Sequence, residues 1–161
     1  MPRTVVVAFA LRALLLLSTQ LVARAQAVPR PSLVGTWEFT LRPNSSRSTE
    51  GPVTGLATFA PSWTVIESDT SEAALHLTPG HGIWQRSPAF GSWFIRFVSL
   101  VPNPNGTLHS KRIFTLTVEL NSLAEQFSGG YSLDVVDPSG HTITTGSGTV
   151  EGQLMTHPLL P

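Results

Sequence analysis

Charged side chains are scarce in this chain, so the few that interrupt apolar stretches are the first places to look for chemistry. Charged residues make up 12% of the 161. Glu67 closes a segment that carries Trp63 and Val65, and Arg96 sits between Ile95 and Phe97 in the most apolar stretch of the chain. Glu38, Glu119, Asp134 and Glu151 interrupt other alternating segments. Any of these that faces a closed interior loses its hydration and needs a partner. An inward Arg96 paired with Glu67 would fix the head group of a ligand while aromatic rings hold its body. A buried carboxylate would also have a raised pKa and could act as a general acid or base. Trp63, Trp84, Trp93 and Phe97 are the rings suited to line such a pocket, whereas Trp37 reads as core. His81 precedes Gly82 after a Pro-Gly break, where a backbone without a Cβ admits close approach. Tyr131, the only tyrosine, offers a hydroxyl donor. The expected ligand-binding set is therefore Trp63, Glu67, His81, Trp84, Trp93, Arg96, Phe97 and Tyr131.

Other chemistries find no support. The sequence has no Gly-x-Ser-x-Gly, no phosphate-binding loop and no His-Glu-x-x-His. The chain has no cysteine, which removes thiol catalysis and thiolate metal sites. His76 and His81 flank Pro79-Gly80, but no helical spacing fixes a carboxylate beside them, and no metal or cofactor is expected. Asn44-Ser45-Ser46 and Asn105-Gly106-Thr107 have the glycosylation pattern, which has meaning only in a eukaryotic host.

The elements that must position these residues read as strands, preceded by a segment of another kind. Arg3, an apolar run over 4–17 broken by Arg12, and the small-x-small pattern of Ala23-Arg24-Ala25-Gln26-Ala27 have the layout of a cleavable signal peptide over 1–27. Arg12 splits the run, which falls short of the roughly 20 apolar residues of a membrane span. The expected location is secreted or periplasmic, without stable membrane insertion after cleavage. Beyond residue 27, seven Lys/Arg face ten Asp/Glu, a net charge of −3. That balance argues against a nucleic-acid partner, which calls for a basic stripe.

Residues 28–32 form an extended lead-in with two prolines. From residue 33 the apolar period is two. Leu33, Gly35, Trp37, Phe39 and Leu41 alternate with Val34, Thr36, Glu38 and Thr40, and similar segments recur over 53–60, 63–68, 82–87, 91–101, 107–120, 127–136 and 141–151. Residues 69–74 could form one helical turn, and residues 153–161 a tail. Asn105-Gly106 and Asp137-Pro138-Ser139-Gly140 are turn formers. About eight strands at this spacing, with no amphipathic helix, predict an all-β domain over 33–152. An even number of sequentially linked strands favours an antiparallel up-and-down barrel, with a β-sandwich as the alternative.

Gly35-Thr36-Trp37 at the start of the first strand resembles the opening motif of the calycins, the lipocalin and avidin-type barrels. Phe127-Ser128-Gly129-Gly130-Tyr131 is similar to the Gly-x-Tyr strands of avidin-like barrels. Together with Ala57-Thr58-Phe59, His81-Gly82-x-Trp84 and residues 146–152, the pattern resembles a group of small exported bacterial proteins without an assigned activity. The resemblance implies a barrel in which Trp37 closes one end, and it carries no ligand with it.

Three functional readings follow. The first is an exported barrel that binds a small, largely apolar molecule in its lumen. The second is a cyclase or isomerase on a barrel of the allene-oxide-cyclase type, an analogy of fold alone. The third is a non-catalytic structural or interaction module with a filled barrel. The missing catalytic motifs weigh against an enzyme.

Overall fold

The computed structural model describes residues 31–44, 51–88 and 91–156. The segment read as a signal peptide lies outside them. Eight strands follow one another: β1 (Gly35–Pro43), β2 (Val53–Phe59), β3 (Thr64–Asp69), β4 (Gly80–Arg86), β5 (Ser92–Pro102), β6 (Leu108–Leu120), β7 (Gln126–Val136) and β8 (Thr142–Leu154). A single short helix, α1 (Glu72–Leu75), lies between β3 and β4. Each strand pairs antiparallel with the next, and β1 pairs with β8, so the sheet closes. The up-and-down barrel is therefore the architecture, and the sandwich alternative is set aside. The last strand runs two residues past the expected boundary, with Leu154 opposite Trp37.

Closure makes the period-two pattern decisive, because alternate residues of every strand face the lumen. Trp37, Phe39 and Leu41 of β1 point inward and are buried, as do Ala57 and Phe59 of β2. Trp93, Ile95 and Phe97 of β5 face Phe114, Leu116 and Val118 of β6. On β7 and β8, Phe127 and Val150 complete this core.

The two ends of the barrel differ. At the end where β1, β3, β5 and β7 begin, the filling is aromatic. Trp37 is fully buried, donates its Nε1–H to the Leu33 carbonyl at 2.8 Å and packs on Phe127 at 5.1 Å between centroids. The chain before β1 thus plugs this end with Leu33, itself fully buried. Trp84 packs on Trp93 at 5.3 Å and donates to the Ala60 and Thr64 carbonyls, both at 3.1 Å.

Large inward rings need glycines across from them. A Cβ on Gly152 would lie 2.2 Å from the Phe127 ring, and one on Gly82 would lie 2.0 Å from the Arg96 carbonyl oxygen. Gly82 is thus a site of close strand-to-strand approach. The Gly82→Ala substitution, which sets a methyl against backbone, is expected to cost about 3 kcal/mol or more. Gly130→Ala, whose Cβ would meet only the Gly148 carbonyl oxygen at 3.7 Å, should change stability by less than about 1 kcal/mol. Denaturant melts of both variants check this, and an equal loss in the two would refute the packing argument.

Candidate functional site

At the opposite end the lumen turns polar. Glu67 lies one row of the sheet from that end and is 2% exposed. It faces Ala57 on β2 and Gly80 on β4. A Cβ on Gly80 would lie 2.5 Å from Glu67 Oε2 and 3.2 Å from Ser99 Oγ, so glycine here makes room for the carboxyl and the hydroxyl. Ser99 is in turn opposite Arg112 on β6. One inward row thus reads Glu67, Gly80, Ser99 and Arg112, with Asp69 two residues further along β3.

Arg112 stacks its guanidinium over the Phe114 ring at 5.1 Å and donates from Nη1 to Ser71 Oγ at 3.1 Å. Asp69 Oδ1 accepts the Ser71 N–H at 2.6 Å and its hydroxyl at 2.5 Å. Glu72 Oε1 accepts the Asp69 N–H at 3.1 Å. Ser99 and Ser110 are buried, and Tyr131 is half-buried with its ring 6.0 Å from that of Phe114.

Among the described residues Glu67 Oε1 has no hydrogen-bond partner. An unmet acceptor of this kind costs about 1–3 kcal/mol. Burial raises the Glu67 pKa from 4.5 to about 8, helped by the charges of Asp69 and Glu72 and by a hydrogen bond with the Asp69 side chain, and opposed by Arg112. The carboxyl is therefore largely protonated at neutral pH, the form that can donate a hydrogen bond to the Asp69 carboxylate.

The cavity beside it is small. Glu67 borders a void of about 10 Å³ in mid-lumen, otherwise lined by apolar side chains that include Phe39, Val65, Ile95 and Phe97. A water needs at least about 10–15 Å³ and two to four polar partners, and Glu67 is the sole polar residue in this lining. A wider concavity, about 560 Å³, is on the outer face, where Glu38, Glu119 and Glu151 stand with Ser128, Gln126 and Gln153. These three carboxylates are exposed and do not enter the lumen. Among the described residues no group of three His, Asp or Glu is arranged to hold a metal ion.

The expected site residues separate accordingly. Glu67, Trp84, Trp93 and Phe97 are inward and buried, and Tyr131 is inward and half-buried. The pairing of Arg96 with Glu67 does not form. Arg96 has the parity opposite to Ile95 and Phe97, so it is exposed on the outer face across from Ile83. His81 is exposed by the same parity, one residue before the inward Gly82. Trp63 stays outside at 53% exposure, in a left-handed turn conformation with φ 66°, and covers Trp84 at 4.9 Å. The cation that the lumen does contain, Arg112, is marked by its parity with Phe114 and Leu116, as Asp69 is by its parity with Val65 and Glu67.

Comparison with family models, with curated proteins and with solved structures returns no match.

Proton linkage gives Glu67 a visible signature. The folded state holds its proton more tightly than the unfolded chain, whose value stays near 4.5. Its stabilising contribution is complete below pH 4.5 and is lost as pH rises through about 8. The loss has an upper bound on the order of 5 kcal/mol. Glu67→Gln should remove this slope, so the variant gains on the native protein in melts as pH is raised from 5 to 8. A variant that keeps the native slope would show that another group carries it.

Proposed function

We propose that this protein is an exported, non-catalytic β-barrel module whose interior is structural and whose contacts with other molecules are made from outside the lumen. The observation that carries this reading is the filled core. Ligand pockets for small molecules run from about 300 Å³ upward, against a lumenal void of about 10 Å³. To admit even a compact apolar ligand, Phe97, Ile95 or Phe127 would have to leave the core they form. Catalysis meets the same obstacle, because the inward carboxyl has no cavity beside it for a substrate. Closure also limits how partners can be met. Every described strand has two neighbours, so none of these strands offers a free edge for an added strand, and recognition runs through side chains.

Native mass spectrometry of the secreted protein tests the proposal together with titration by an apolar fluorescent probe. The expected result is the mass of the chain alone, with no saturable probe binding. A co-purified apolar molecule at one per barrel, or saturable binding that quenches the buried tryptophans, would overturn it in favour of a lumenal carrier.

A further inference from the structure

The polar end of the barrel is covered by the connection between β3 and β4, residues 70–79, with α1 at its centre. Its backbone is anchored where it leaves β3 and where it enters β4. Thr70 donates its N–H to the Thr54 carbonyl at 2.9 Å. Thr78 donates to the Leu100 carbonyl at 3.0 Å, and its hydroxyl accepts the Leu100 N–H at 3.0 Å. Between these anchors the stretch 71–77 bonds within itself, through Leu75 to Ser71 and Leu77 to Glu72, and back to Asp69 at the end of β3, through the Ser71 N–H and hydroxyl and the Glu72 carboxylate. None of the residues of α1 is buried. The one hydrogen bond that ties the helix start to the far side of the barrel, among the described residues, is that from Arg112 to Ser71.

Arg112 shares its row with Glu67, separated by Ser99 and the gap at Gly80. While Glu67 is neutral, Arg112 is available to Ser71. We propose that residues 70–79 are a proton-gated lid on the polar end of the barrel, closed while the Glu67 carboxyl is protonated and released when it ionises.

Two effects of one charge act in the same direction. An ionised Glu67 gives Arg112 a carboxylate in its own row, which competes with the Ser71 hydroxyl for the guanidinium. The same charge repels Glu72, which stands on the lid, and Asp69, which holds Ser71 in place. The groups that face Glu67 are Asp69 on β3, Glu72 on the lid and Arg112 on β6; β2, β4 and β5 contribute Ala57, Gly80 and Ser99, and Tyr131 is the inward titratable side chain of β7. Three carboxylates would then share one cation.

Hydrogen–deuterium exchange of the full barrel, followed by mass spectrometry at pH 6 and pH 9 and corrected for intrinsic rates, tests the gate. Peptides covering 70–79 are expected to exchange about tenfold faster at pH 9, the response to about one unit of pKa difference between closed and open lids. The peptides of β5 and β6, which open only with the whole barrel, should stay far slower than the lid at both values. Glu67→Gln should hold the lid slow at both values. Ser71→Ala, which keeps Glu67 and removes the tether, should leave it fast at both. Equal protection of 70–79 at the two pH values in the native chain would overturn the proposal. So would exchange of 70–79 no faster than that of β5 and β6 at pH 9, or a pH response that survives in Glu67→Gln. Should Glu67→Gln not fold, the Ser71→Ala result decides alone, and a lid that still responds to pH there refutes the tether.

Discussion

The hydrogen bonding of β1 to β8 is the constraint from which the rest of the molecule follows. Once the sheet closes, each strand has an inside and an outside, and a shift of register by one residue would exchange them along the whole strand. The inside must then be filled by every second residue of eight strands. Trp37, Phe97, Phe114 and Phe127 do that filling, and glycines at 82, 148 and 152 let them do it, because a Cβ at any of these would strike backbone or a ring. Density of packing and absence of a large cavity are two descriptions of the same solution.

Much of this was legible in the chain. The alternation from Leu33 to Leu41 marks the inward face of β1 correctly, and the turn residues at 105–106 and 137–140 act as expected. Asn105 Oδ1 caps the Thr107 N–H at 3.1 Å, and Asp137 Oδ1 accepts the His141 N–H at 2.9 Å. Glu67 also stood out, as a carboxylate on the parity of Val65. The reading of Arg96 failed for a specific reason. β5 carries apolar side chains on both faces, with Phe94, Val98 and Leu100 outside, so hydrophobicity alone could not tell which parity was inward. Trp93 and its register with Val118 settle it. On β6 the parity of Arg112 with Phe114 was readable, but an adjacent Lys111-Arg112 pair draws the eye as a surface feature. Lumen volume was not legible at all, since it depends on how rings from different strands interlock.

The polarity of the barrel along its axis is a second product of the same rule. The aromatic end is sealed by Leu33 and Trp37, and the indole N–H groups of Trp37 and Trp84 are directed at backbone carbonyls. The other end buries a carboxyl that ordinary packing would have excluded. Replacing such a group by an apolar one is often neutral or favourable to stability, so Glu67 is the residue whose presence the stability of the fold does not explain. That asymmetry places a titrating carboxyl at one end and an aromatic seal at the other.

The clustering of indoles at the sealed end has an optical consequence. Trp63, Trp84 and Trp93 form a chain of rings with centroids 4.9 and 5.3 Å apart, and Trp37 stands at the same end against Phe127. Transitions of rings this close couple as excitons, which adds far-ultraviolet circular dichroism that paired strands alone do not produce. All four tryptophans therefore report on a single end of the barrel. Tyr131, inward near the polar end, is the only other strong near-ultraviolet chromophore. Red-edge excitation, which indole absorbs and phenol does not, therefore reads the aromatic end alone, without any added label.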